Sequence, residues 1–350
     1  MPDTASILHQ TTLTEAINEQ KSPNSFVRNR FFPRNRTVPT RHIELSYIRR
    51  GRKIAPFVER NGAGIMVEGR NESFVTVMPP HIRIKRPMTP SDLLNKRRPG
   101  NVIHTTAQDI ARAAKEYIAD EQEMLLDDLT NTEEWLACMA LRGQISYVAQ
   151  DESAFTITMP RSASNTIILT GADLWSATTS SPRVNFMQAA EVVNEGVSLN
   201  VTDVILGRNA ADEFLAHAEL ESKLDILRLR TGTVDLTSTF QDDGAILLGE
   251  YTQGIKIWRY NRTVEVDGVA VDLIRPDYAE FIARTPAAQW LFYFGAIEDM
   301  KAIGSGNVLQ SQRFSKSWEE EDPSARMLLM ESNPLPCMRR PDASLSMRVT

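Results

Sequence analysis

The sequence predicts an α+β protein in which helices and strands follow one another in mixed order, and three observations lead there. A single 3.6-residue apolar periodicity runs through residues 107–142 and stops before Gly143, the pattern of one unusually long helix. Short apolar runs bounded by Gly, Asn, Asp and Pro recur on both sides of it, the pattern of strands and hairpins. The 350 residues are 42% hydrophobic and 24% charged, which fits a folded protein of about two domains and excludes wholesale disorder, collagen and disulfide-dense scaffolds.

Half of the 18 prolines fall between residues 21 and 100: Pro23, Pro33, Pro39, Pro56, Pro79, Pro80, Pro87, Pro90 and Pro99. Proline neither donates to a ladder nor continues a helix, so this stretch reads as extended arm and loop. Residues 43–48 and 74–77 have strand character and flank Asn61-Gly62-Ala63-Gly64, predicting a long hairpin. Unsupported hairpins are marginal in water, so an arm and loop of some 80 residues calls for contacts from neighbouring copies.

Thr105-Thr106-Ala107-Gln108 fits a capping box at the start of the long helix, which would be about 54 Å long if continuous. Thr130-Asn131-Thr132-Glu133 fits a second box that would divide it, and the residues leave both readings open. Glu121 and Asp128 fall on the apolar stripe, so one face of this helix should meet polar or basic partners.

Beyond it, residues 144–149 and 155–159 flank a short turn and predict a strand pair. Residues 184–194 read as a helix, 201–206 as a strand and 209–217 as a helix with Asn209 or Arg208 near its cap. Residues 246–248 and 254–260 read as strands, and 264–274 as a hairpin around Asp267-Gly268, a favoured two-residue turn. Residues 290–294 should be a buried strand.

Charge is unevenly spread. Residues 21–100 hold 18 Lys and Arg against 5 Asp and Glu, leaving 21 against 40 in the rest of a chain whose net charge is −6. A basic third and an acidic remainder can attract one another between copies, or the basic part can attract phosphate. The longest apolar run, residues 290–297, is far short of the ~20 residues of a membrane-spanning helix. The first twenty residues contain Asp3, Glu15 and Glu19 but no Lys or Arg, the wrong pattern for a signal peptide, so synthesis inside the cell is expected. Cys138 and Cys337 lack metal-ligand spacing and are expected as free thiols.

Signatures of chemistry are missing. Gly62-Ala63-Gly64 and Gly304-Ser305-Gly306 lack the context of a phosphate loop. His9, His42, His81, His104 and His217 are scattered, without metal-ligand spacing. There is no Gly-x-Ser-x-Gly elbow, and the acidic runs at 120–123, 127–128 and 319–322 lack calcium-loop spacing. No catalytic residue, cofactor or metal is assigned, and the acidic runs are read as solvated faces or as partners for the basic arm.

Three stretches, in this order, resemble the tailed-phage major capsid protein E family, the lambda-type coat proteins. They are residues 38–58, with Leu45-Ser46-Tyr47-Ile48 and Ala55-Pro56-Phe57-Val58; Phe294-Gly295-Ala296-Ile297-Glu298-Asp299; and Lys316-Ser317-Trp318 with Asp322-Pro323-Ser324-Ala325-Arg326 and the proline-rich tail from Pro334 to Asp342. The resemblance implies the Hong Kong 97-like (HK97-like) capsid fold. Mapped onto this chain, residues 1–40 are an N-terminal arm and 41–92 an extended loop. Residues 93–174 are a peripheral domain with the long helix as its spine, 175–311 an axial domain, and 312–350 a return to the peripheral domain.

The function implied is self-assembly into pentamers and hexamers of an icosahedral head around double-stranded DNA, contacted without sequence specificity, in the host bacterial cytoplasm. Scaffolding protein, decoration protein, portal and maturation protease are partners implied by the family. Arg49, Arg50, Arg52 and Arg60 are the candidate intersubunit charges and Phe57 the candidate apolar anchor. An encapsulin-like nanocompartment shell is the alternative within the same fold, and a nucleic-acid-binding protein using the basic stretch is the more distant one.

Overall fold

The computed structural model describes residues 10–19, 25–49, 71–91, 107–149, 152–217, 244–251, 254–266, 268–284, 290–304, 310–322 and 324–350. The expected long helix is a single element, Ala107–Leu141 (α3; α1 and α2 lie before it), about 52 Å at 1.5 Å per residue. It ends at Gly143, whose φ of +80° is the left-handed conformation that stops a helix, with its N–H donating to Ala140 O at 2.8 Å. The second capping box does not act. Thr130 is buried inside the helix, and Thr132 Oγ1 donates back to Asp128 O at 2.9 Å instead of capping a new start.

Two short helices precede it, α1 (Gln10–Glu19) and α2 (Phe26–Phe31). Here the expectation of an extended arm without a core is corrected. Phe26, Val27, Phe31 and Phe32 are buried in the main core, against Trp258, Tyr260, Trp290 and Phe292. A six-residue helix is not stable alone, so its conformation comes from docking and not from local propensity. The predicted hairpin is present: β2 (Ile43–Arg49) pairs antiparallel with β3 (Asn71–Val77), Ile43 opposite Val77 and Arg49 opposite Asn71. β1 (Asn35–Thr37) pairs parallel with β14 (Trp290–Phe294), whose other neighbour is β17 (Pro334–Met338).

A second, three-stranded sheet has the order β15 (Phe314–Glu320), β16 (Ala325–Ser332), β4 (Ile82–Met88). β4 tolerates Pro87 because it is an edge strand. One face of this sheet packs on α3: Leu328, Met330 and Met88 meet Leu125, Leu126 and Leu129, with Ile17 of α1 beside them. The hairpin β5 (Gln144–Val148) and β6 (Ala154–Thr158) follows α3 as expected.

The largest sheet has six strands in the order β7 (Thr166–Ile168), β18 (Ser344–Arg348), β13 (Tyr278–Ile282), β8 (Asp203–Leu206), β10 (Ile255–Tyr260), β9 (Ala245–Tyr251). Helices α4 (Pro182–Val197) and α5 (Arg208–Ala216) accompany it, and α6 (Met300–Gly304) lies farther along the chain. The Asp-Gly hairpin is β11 (Thr263–Val266) with β12 (Val269–Asp272). Residues 312–350 thus divide between sheets: β15 to β17 lie with the arm and spine, and β18 lies inside the six-stranded sheet.

Candidate assembly surface

The hairpin β2–β3 is fixed at its base. Ile43, Leu45, Tyr47 and Ile48 are buried, Ile48 N donates to Arg339 O at 2.9 Å, and the Arg339 guanidinium donates to Ser46 O at 3.3 Å. The outer strand differs. Glu72 to Thr76 are exposed, and Phe74, at 62% accessibility, turns its ring to solvent opposite Ser46. Such an arrangement presents a strand carrying an unburied aromatic from a rigid root. Arg49 ends β2, with its backbone opposite Asn71. Arg50, Arg52, Phe57 and Arg60 lie outside the described residues, so the hairpin root is placed and these four candidates are not.

The basic arm finds much of its opposite charge within the same chain. The carboxylate of Glu133, fully buried, lies between Arg28 at 2.7 Å and Arg313 at 2.9 Å. Glu134 accepts the N–H groups of Val27 and Arg28 at 2.8 and 2.9 Å and the Tyr260 hydroxyl at 2.9 Å. It therefore satisfies the first free donors of α2. Burial pushes the Glu134 carboxyl up, although those three donors and Arg262 pull the other way. Arg30 reaches Asp203 of β8 at 2.6 Å, where Trp258 Nε1 also donates at 3.0 Å, and its guanidinium lies 4.5 Å from the Trp258 ring.

These contacts make α2 a clamp between the spine helix and the six-stranded sheet. The sequence held the signal, two adjacent glutamates inside an otherwise apolar helix end, but the capping-box pattern concealed it.

Farther along, Arg86 of β4 bridges Glu121 at 3.3 Å and Asp128 at 3.2 Å, the basic partner expected for the acidic positions on the spine stripe. Asp299 receives Lys316, Arg83 at 3.3 Å and the Lys301 N–H at 3.0 Å. Burial alone would raise its carboxyl, and these donors, Lys316 foremost, hold it below the usual range.

Other charged side chains lie at the surface. Arg34, Arg36 and Lys85 are exposed on the arm and β4, while Asp120, Glu123 and Asp127 face outward from the spine helix. At the β15–β16 turn, Glu319, paired with Arg326 at 3.3 Å, borders with Glu320 and Glu321 a groove of about 460 Å³ floored by Met88, Pro90 and Ile118.

Cys138 and Cys337 are buried free thiols, and burial pushes Cys337 up to about 12, far from a reactive thiolate. Among the described residues no three His, Cys, Asp or Glu converge as metal ligands, and no helix is long and apolar enough to cross a membrane. His81 Nδ1 lies 2.8 Å from Asn333 Oδ1, and His217 lies 3.3 Å from Ser180 Oγ.

Comparison with known proteins follows the same lines. A protein assigned as the capsid protein of an Escherichia coli CFT073 prophage is 16% identical, with a TM-score of 0.71 over 97% of both chains. A phage-related protein from Bordetella bronchiseptica RB50 is 11% identical, with a TM-score of 0.55 over 97% of this chain and 96% of the other. The capsid of Ralstonia phage GP4 is 12% identical, with a TM-score of 0.50 over 93% and 91%. These likenesses show the HK97-like fold. No curated protein matches the chain. A family model described as phage major capsid protein E matches residues 9–349, almost the full length, which decides between a phage coat and the encapsulin-like alternative. The chain belongs to the phage major capsid protein E family.

Proposed function

We propose that copies of this chain, a capsid component of a tailed phage or prophage, close into pentamers and hexamers of an icosahedral head around double-stranded DNA. The observation that carries the reading is the hairpin β2–β3: a root buried in the core, an outer strand exposed with Phe74 on it and, in the sequence, a basic connection of 21 residues between Arg49 and Asn71. A monomer gains nothing from such an element, whereas a shell subunit uses it to reach the next copy. Arg49, Arg50, Arg52 and Arg60 supply charge for that contact and Phe57 an apolar anchor. Exposed pairs are worth only ~0–1 kcal/mol each, so they set register and salt sensitivity while packing over many copies supplies the affinity.

The division into arm (1–40), extended loop (41–92), peripheral domain (93–174 and 312–350) and axial domain (175–311) belongs to the same proposal. So do a structural role without catalysis, assembly in the host cytoplasm, non-specific contact with packaged DNA, and a scaffolding protein, decoration protein, portal and maturation protease as partners. Arg49→Glu combined with Arg50→Glu tests it: the variant should remain a soluble, folded subunit and form no shells. Normal shells from that variant, seen by negative-stain microscopy, would show that the charges are dispensable.

A further inference from the structure

β15 is an edge of its three-stranded sheet: β16 lies on one side of it, and among the described residues no strand pairs with it on the other. That other side is covered by helix α1. Thr14 Oγ1 accepts the Ser315 N–H at 3.2 Å and donates to Ser315 O at 3.3 Å, and Asn18 Nδ2 donates to Arg313 O at 3.0 Å. Positions 14 and 18 lie one turn apart on one face of the helix. Their side chains meet the backbone groups of alternate strand residues, 313 and 315, as a neighbouring strand would. Leu13, Thr14 and Ile17 are buried in this contact, as are Arg313 and Ser315.

The bonds to Thr14 fix the hydrogen-bond phase of β15. Ser315 turns both backbone groups away from β16, so the bonded pairs of that antiparallel ladder are 314–331, 316–329, 318–327 and 320–325. Residues 317 and 319 therefore turn outward with 315. The cover is partial, because Glu319 and Glu320 at the far end of the strand are exposed. It is also held by docking and not by propensity. α1 has ten residues, fewer than the roughly 12–15 at which an isolated helix becomes even marginally stable, and its three described hydrogen bonds to β15 join uncharged groups.

We propose that α1 is a guard on a latent interface: with α1 released, β15 pairs antiparallel with β15 of a second copy. An open strand edge is a row of donors and acceptors that recruits another chain, and folded proteins block such edges with helices. The occupant follows from the strand itself. Overlap of all seven residues of two antiparallel β15 strands sets Phe314 opposite Glu320, Ser315 opposite Glu319 and Lys316 opposite Trp318, with Ser317 meeting its own copy on a two-fold axis. In that register the outward residues 315, 317 and 319 form the bonded pairs, so full overlap and hydrogen-bond phase agree. No like charges stand opposite one another. The edge is separate from the β2–β3 hairpin, and the inference does not depend on the contacts proposed there.

The test uses the full-length chain carrying Ser317→Cys as a reporter on the two-fold axis. Bonded antiparallel pairs stand about 5.5 Å apart at Cα, within reach of a disulfide, and the native Cys138 and Cys337 are buried. Thr14→Pro in that background breaks α1 and removes the hydroxyl that covers Ser315. The readouts are circular dichroism, hydrogen exchange of the Ser315 amide, and dimers formed with oxidised glutathione on a non-reducing gel. Thr14→Pro should leave the overall fold intact, speed exchange at Ser315 by about tenfold or more, and raise the 317–317 dimer from a trace to a major species. Adding Glu319→Pro, which removes an outward N–H and spares the ladder to β16, should abolish that dimer. Thr14→Val keeps the helix and should act in the same direction more weakly, and it replaces the proline variant if that one does not fold. Faster exchange at Ser315 without the dimer would overturn the proposal. So would unchanged exchange, an equal dimer with α1 unaltered, or a dimer that survives Glu319→Pro.

Discussion

At the scale of single residues, burial decides which ion pairs matter. Glu133 is sealed between Arg28 and Arg313, whose side chains are 9% and 5% exposed. Glu133→Ala would leave two buried guanidinium groups without their carboxylate, a loss of about 3–5 kcal/mol. Arg41 and Glu298 pair at 3.0 Å but are 62% and 44% exposed, so Arg41→Ala should change stability by no more than about 1 kcal/mol. Urea unfolding of the two variants checks the contrast.

Asp299 makes the pH-dependent prediction. Its folded carboxyl is held below the ordinary range, so its contribution is present above the unfolded pKa of about 3.9 and is lost as pH falls through the lower folded value. Asp299→Asn should therefore lower Tm at pH 7, with a difference that shrinks below about pH 4. A constant difference from pH 7 to pH 3 would contradict this.

At the scale of elements, Gly207 shows how closely backbone can pack. A Cβ there would stand 2.1 Å from Arg275 O and 2.7 Å from Pro276 O, both backbone atoms that cannot step aside. Gly207→Ala should displace α5 from the six-stranded sheet and cost at least ~1–3 kcal/mol, seen as a lowered Tm and faster hydrogen exchange in α5. Elements with strong local signals were legible in the sequence. The spine helix, the Asp-Gly hairpin, β5 with β6, and β14 all carry periodicity or turn chemistry of their own. Those defined by long-range contacts were not. Phe26 to Phe31 look like arm until Glu134, Asp203 and Trp258 are brought to them from over 100 residues away. β13 and β16 to β18 likewise take their form from strands far off in sequence. Of the hairpin candidates, only the backbone of Arg49 lies among the described residues.

At the scale of the whole molecule, the charge asymmetry has two parts. One is spent inside the subunit, where Arg28, Arg30, Arg83 and Arg86 clamp arm and β4 to spine and sheet. The other is exposed, as Arg34, Arg36 and Lys85 on the arm and β4 and as Asp120, Glu123 and Asp127 on the spine helix. Salt at moderate concentration screens the exposed charges within about 10 Å and leaves the buried pairs of Glu133 and Asp203 largely untouched. Rising salt should therefore weaken assembly before it unfolds the subunit, with circular dichroism unchanged while light scattering falls.

The most direct test of self-assembly is negative-stain electron microscopy, with light scattering, of the protein expressed alone and with a scaffolding partner across a salt series. Closed shells, tubes or capsomer rings that diminish as salt rises are the expected result. A stable monomer under every condition, scaffold included, would contradict it.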